Sequence, residues 1–360
     1  LPTILHLSIV PLPVFTLHRF HSAPFSLCTV FTLHRFHSAP FSLCTAMPLK
    51  SLIKILISAG MLFLVLRLTD FSKLVAAVRE LPGWAIVTVV LGYLCGQILS
   101  SFKWWLIARS AGVNVPWSSA LKSYFIGAFV NSFGLGLVGG DVARGVLLGM
   151  AAPQDGTTQP RTAALASVVA DRVQGLAVLL AIGLITSFLV VGHALDQSLR
   201  NLVLGVAVAL VIVWYTGSSL ILKVLPRNKK LHEIFQNVTR AFPRSPVTLG
   251  AITAISFVFH MSQIGLNFVM LYALGIEIPW TQVMIAIPFV NILASLPISW
   301  NGLGVREKSY LFFLAPALAP DQAVVLGALW LFALTFNSAV GGIISVWTGD
   351  FGKLRDLKKN

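Results

Sequence analysis

The sequence predicts an all-α polytopic integral membrane protein, and three observations carry that expectation. Of the 360 residues, 56% are hydrophobic and 11% charged, against about 25% charged in soluble domains. Several apolar runs exceed the roughly 18 residues needed to cross a hydrocarbon core. The Lys and Arg residues, 26 against 12 Asp and Glu, gather in short loops and at the C-terminus, where they act as topology signals. These patterns predict about six full spans plus two re-entrant broken-helix hairpins in an inverted repeat. Residues 47–350 form the membrane domain and 351–360 a basic cytoplasmic tail.

The net charge of +14 raises the question of nucleic acid. Its placement beside apolar runs favours anionic lipid headgroups instead, at about 1 kcal/mol per basic residue near the surface. The cysteines, Cys28, Cys44 and Cys95, show neither CxxC nor metal-ligand spacing, so no disulfide framework or metal site is expected.

At the N-terminus, VFTLHRFHSAPFSLCT at 14–29 is repeated letter for letter at 30–45. One tandem copy does not make a solenoid, which needs about three units. The first Met is Met47, so residues 1–46 are read as a non-native or unstructured extension. His18, His21, His34 and His37 lack the carboxylate or paired cysteine that would complete a metal site.

From Met47 the chain begins as a membrane protein does, with Lys50 and Lys54 before an apolar run at 55–66. Residues 70–80 suit an interfacial helix, ended by Leu81-Pro82-Gly83. The next span covers 84–107, with Trp104 and Trp105 as an interfacial belt and Lys103 and Arg109 in the cytoplasmic loop beyond. Further spans are expected at 162–191, 202–222, 247–274 and 323–347, and the basic loop at 223–244 is placed inside. His260, Gln263 and Asn267 recur at helical spacing and are read as an interhelical hydrogen-bonding stripe.

Two stretches break this pattern. FVNSFGLGLVGGDVAR at 129–144 carries Gly134, Gly136, Gly139 and Gly140 as backbone-turn residues, with Asn131, Asp141 and Arg144 at membrane depth. Residues 281–314 carry Pro288 and Pro297 as helix breakers, Gly302 and Gly304 as turn residues, and the pair Arg306 and Glu307. Such backbone is tolerated only where protein or a wet cavity surrounds it. Both stretches contain Phe-Val-Asn, at 129–131 and 289–291, and the loop charges make them enter from opposite faces. Broken segments of this kind flank the substrate in secondary transporters.

The glycines at 134–139 also fit GxGxxG, but no strand precedes them, which argues against a dinucleotide site. Asp171 and Arg172 point about 100° apart on a helix and should find different partners. Asp141, Asp171 and Glu307 each lie within four residues of an arginine. Two readings stay open: internal pairing that fastens the bundle, or arginines that meet a lipid phosphate.

At GGDVAR (139–144), ADRVQGLAVLL (170–180) and LPISWNGLGVRE (296–307) the chain resembles the lysylphosphatidylglycerol synthase transmembrane-region family, also called flippase-like. The resemblance implies a membrane domain that translocates polar lipids, with these motifs at its core. A proline that usually precedes the glycines of the first motif is replaced here by Phe133-Gly134-Leu135-Gly136. Family synthases carry a large soluble catalytic domain after the membrane part, and this chain stops about ten residues past its last span. The expectation is therefore no enzymatic aminoacyl transfer and no cofactor.

The sequence thus leads to a flippase of a bacterial inner membrane, with both termini cytoplasmic. Arg144, Arg172, Arg306, Asn131 and Asn291 would bind the substrate, while Asp141, Asp171 and Glu307 pair with the arginines or gate them. Expected partners are anionic, glycolipid or hopanoid-type membrane lipids and lipid-biosynthesis enzymes, with no nucleic acid. The alternatives are a membrane-embedded lipid-modifying transferase and a non-transporting scaffold of a lipid-synthesis complex.

Overall fold

The computed structural model describes residues 81–133, 136–153, 160–189, 239–296, 298–299 and 301–349, with isolated positions at 79, 201, 205 and 208–209. The chain divides into two units, Leu1–Leu49 and Lys50–Asn360. The first unit, with its duplication and histidines, lies outside the described residues. So do the expected span at 55–66, most of 202–222 and the basic tail.

Among the described residues the regular structure is α-helix: α1 (Gly83–Ser110), α2 (Trp117–Phe133), α3 (Gly136–Ala151), α4 (Pro160–Leu189), α5 (Pro246–Ala273), α6 (Trp280–Ser295), α7 (Val305–Phe313) and α8 (Pro320–Thr348). Helices α1, α4, α5 and α8 are long and apolar enough to cross a membrane. They correspond to the expected spans at 84–107, 162–191, 247–274 and 323–347.

Local sequence explains the ends of these helices. Ser245 caps α5 by accepting from the Thr248 N–H, and Pro246 follows where its missing N–H costs nothing. Both α1 and α5 close on a glycine with positive φ, Gly112 at 88° and Gly275 at 68°. In each case two backbone bonds seal the end: Gly112 to Arg109 and Val113 to Ala108, Gly275 to Tyr272 and Ile276 to Leu271. This is the Schellman arrangement that glycine permits. The linkers that follow share an opening Gly and a closing Pro-Trp, GVNVPW at 112–117 and GIEIPW at 275–280, and each leads into a short helix containing Phe-Val-Asn. The order long helix, short helix, short helix, long helix therefore occurs twice, as α1 to α4 and α5 to α8.

Helices α1 and α5 pack along their length in opposite directions. Trp84 lies beside Tyr272, Gly92 against Leu266 and Gly96 against Gln263. Helices α2 and α3 fold into a hairpin, as do α6 and α7, and α8 packs on α2. Burying apolar surface gives little advantage in lipid, so close approach through small residues does more of the joining. A Cβ on Gly341 would strike the Phe125 carbonyl oxygen, and the hydroxyls of Ser132 and Ser338 meet at 2.8 Å on the same face.

Three expectations are corrected. Lys103 and Trp104 were placed at the membrane exit, yet α1 runs on to Ser110 and both are buried, with Lys103 3% exposed. Pro288 does not break its helix; it sits inside an unbroken α6, packed against Gly183 of α4, and the interruption comes after Ser295. Gly136, Gly139 and Gly140 belong to α3 itself rather than to the turn before it. Gly134 and Pro297 lie outside the described residues.

Candidate functional site

The first charge centre is built where the α2–α3 hairpin meets α4 and α1. Asp141 and Arg144 stand one turn apart on α3, with the Arg144 Nε donating to Asp141 Oδ1 at 3.1 Å. Across on α4, Asp171 Oδ2 accepts from Arg144 Nη2 at 3.1 Å. The adjacent Arg172 turns to Asp141, donating from Nε and Nη2 at 2.9 and 2.8 Å in a two-pronged pair. The neighbours Asp171 and Arg172 do take different partners, as their angular separation on a helix requires.

Lys103 of α1 completes this centre. Its ammonium lies 3.0 Å from Asp171 Oδ1 and donates to Gln174 Oε1 at 3.1 Å. Arg144 is further held between the rings of Trp104 and Tyr124, 4.8 and 5.0 Å from its guanidinium carbon. These rings are fixed in turn, Trp104 donating to Ser167 Oγ and Tyr124 to Ser100 Oγ. Three cations face two carboxylates here, and Arg144 Nη1 is buried without a hydrogen-bond partner. Burial is graded: Asp171 and Arg144 are deep, whereas the Arg172 side chain is 48% exposed.

The second centre lies at the α6–α7 turn. Asn301, Gly302 and Gly304 all take positive φ there, so the turn needs residues that tolerate the left-handed region. Arg306, in the first turn of α7, donates from Nη1 to Asn291 Oδ1 of α6 at 2.8 Å. Its guanidinium also lies 5.0 Å from the Trp330 ring of α8, against which Tyr93 of α1 packs edge-on at 5.6 Å. Arg306 is buried, its Nε has no hydrogen-bond partner, and among the described residues no carboxylate reaches ion-pair distance of it.

Among the described residues the expected pairing of Glu307 with an arginine does not occur. Glu307 is the third residue of α7, and its Oε2 accepts from the Gly304 N–H at 2.6 Å, capping the helix. Its other oxygen fits against Gly327 of α8, where a Cβ would collide with it. The six charged residues of the three motifs therefore do not form one cluster: Asp141, Arg144, Asp171 and Arg172 are joined, while Arg306 and Glu307 belong to the second centre. The two asparagines act alike, each reaching from the first helix of its hairpin to the second. Asn131 accepts from the Gly140 N–H at 2.9 Å, and Asn291 accepts from Arg306.

Sequence reasoning missed Lys103, Trp104, Tyr124, Gln174 and Trp330. The signal for Lys103 was hidden because Lys-Trp-Trp reads as a membrane boundary. Trp330 lies in a run with no polar marker.

The fold and these centres define a multi-pass, all-helical membrane protein with ionised side chains buried between its spans. Residues 51–341 match the family described as the lysylphosphatidylglycerol synthase TM region, and the chain belongs to that family. Membership points to a membrane-lipid function. No curated protein matches the chain.

Proposed function

We propose that the protein translocates a polar or anionic lipid across a bacterial inner membrane, with both termini cytoplasmic, and leaves the lipid chemically unchanged. The carrying observation is Arg306: its buried guanidinium has no carboxylate at ion-pair distance among the described residues, which is costly in a bilayer and calls for an anionic ligand. A lipid phosphate suits it, since one edge of the arginine is committed to Asn291 and Nε remains for the ligand.

The repeated four-helix order supports this reading. Arg144 and Arg306 occupy corresponding third helices, α3 and α7, and each lies against a tryptophan, Trp104 of α1 or Trp330 of α8. Their difference is the counter-ion. Asp171 stands eleven residues after Pro160 at the start of α4; eleven residues after Pro320, at the start of α8, stands Leu331. Among the described residues one arginine therefore has a carboxylate partner and the other has none, which leaves it for substrate.

Antiparallel α1 and α5 are what an inverted repeat requires, and the two hairpins then enter from opposite faces as re-entrant elements. In this scheme the centre around Asp171 is a lock that ties α3 to α4 and α1. Breaking and remaking it accompanies exposure of the Arg306 site to either side.

The test is reconstitution into vesicles containing fluorescent phosphatidylglycerol, with movement read by a membrane-impermeant quencher. Arg306→Met should slow movement by roughly 10- to 100-fold, the worth of a hydrogen bond to a charged group. Its folded stability should hold or rise, because an uncompensated buried charge is removed. Full transport by this variant would sink the assignment, and a new lipid species by mass spectrometry would favour a membrane-embedded transferase.

A further inference from the structure

On the side of the first centre away from Arg172, several buried polar atoms converge between α1, α4 and α5. Lys103 has three ammonium protons; one goes to Gln174, and the ammonium stands 3.0 Å from Asp171 Oδ1, an oxygen that has no hydrogen-bond partner. His260 of α5 is buried and its Nε2 has no hydrogen-bond partner. The two cationisable nitrogens flank one glycine: a Cβ on Gly175 would lie 3.5 Å from Lys103 Nζ and 3.8 Å from His260 Nε2. No side chain from that position of α4 separates them. Buried polar atoms without partners are rare and ask for a reason.

We propose that His260, Lys103 and Asp171 form a proton-responsive switch, in which protonation of His260 Nε2 displaces the Lys103 ammonium from Asp171 and unclamps α1 from α4. It adds a proton site to the transport reading, and the proton can bind whether or not a lipid is present. Among the described residues the titratable groups facing His260 are Lys103 from α1 and Asp171 from α4. Helix α6 carries no titratable residue, and Asp321 of α8 lies in that helix's first turn.

The electrostatics decide the direction. Asp171 already faces Lys103 and Arg144. A proton arriving from water on His260 Nε2 would set three cations around one carboxylate in a low-dielectric site, where repulsion is strong. Binding of that proton therefore requires one of the other cations to leave. Arg144 is held by Asp141 and two rings, whereas Lys103 has only Gln174 besides Asp171. Lys103 is therefore the one displaced. It neighbours Trp104, whose ring packs on Arg144, so its departure also loosens the lock at Arg144.

The experiment uses the full chain, labelled with 15N-histidine, in lipid nanodiscs. The His260 signal is identified by its loss in His260→Gln. Proton uptake at His260 should occur at a pH higher by at least about one unit, tenfold in proton affinity, in Lys103→Met than in the parent protein. In vesicles, movement of fluorescent phosphatidylglycerol should change over the pH range in which the His260 signal titrates in the parent, and be flat over that range in His260→Gln. Equal titration in the parent and Lys103→Met, or none in either, overturns the switch whatever the transport assay gives. A Lys103-dependent titration with pH-independent lipid movement overturns it as well. If His260 titrates as stated and no lipid moves at any pH, the proton switch stands and the transport reading falls.

Discussion

Replacing Asp171 by Asn should destabilise the protein more than any other single change in the charge centre. Asp171 faces Lys103 at 3.0 Å and Arg144 at 3.1 Å, and all three side chains are nearly inaccessible. Asparagine keeps the shape and removes the charge. Arg144 would retain Asp141 and its two rings, but Lys103 would be stranded with Gln174 alone. Removing one partner of a buried ion pair costs about 3–5 kcal/mol, or roughly 10²- to 10⁴-fold in the folding equilibrium. Asp141→Asn is the internal control. Its main partner Arg172 has a side chain 48% exposed, so solvent screening holds the loss to about 1–2 kcal/mol. Equilibrium unfolding in mixed micelles, followed by circular dichroism, measures both. Adding Lys103→Met to Asp171→Asn should restore at least about 1 kcal/mol by removing the stranded cation. If Asp171→Asn is no less stable than Asp141→Asn, or Lys103→Met deepens its loss, the reasoning fails.

Two further outcomes test the packing and the repeat. Gly341→Leu should cost about 1–3 kcal/mol in the same unfolding assay, because the side chain would enter the Phe125 backbone and part α8 from α2; a neutral result would mean that this contact is not close. In a background without native cysteines, Asn114→Cys and Glu277→Cys place reporters in the exposed, matching linkers after α1 and α5. Membrane-impermeant labels applied from one side should reach only one of them, and labelling of both from the same face would rule out the inverted arrangement.

The segments that sequence reasoning identified best are those where a local rule suffices. The four long helices follow from apolar length, and Ser245-Pro246 and Gly275 mark the limits of α5 by capping chemistry. The different partners of Asp171 and Arg172 follow from helical geometry. The shared Gly-x-x-x-Pro-Trp of GVNVPW and GIEIPW was present in the letters and adds to the Phe-Val-Asn match as a sign of the repeated helix order. Pro288 misled because a missing N–H breaks a helix only where neighbours do not support it, and here α4 packs against it. Glu307 misled because proximity in sequence to Arg306 says nothing about which group its carboxylate faces; the nearest unsatisfied donor is the Gly304 N–H at the start of its own helix.

What the sequence determined by itself is the kind of protein: helical, membrane-embedded, interrupted at two places, with ionisable groups where lipid would exclude them. Those properties are sums over local composition and periodicity. Which charge meets which was decided by the tertiary structure alone, since Lys103, Asp141, Arg144, Asp171 and Arg172 come from three helices whose crossings fix distances of about 3 Å. Among the described residues the same crossings left Arg306 with an asparagine and an aromatic ring in place of a carboxylate. That absence is invisible in a linear chain, because an arginine beside a glutamate reads as paired until the fold turns the glutamate elsewhere.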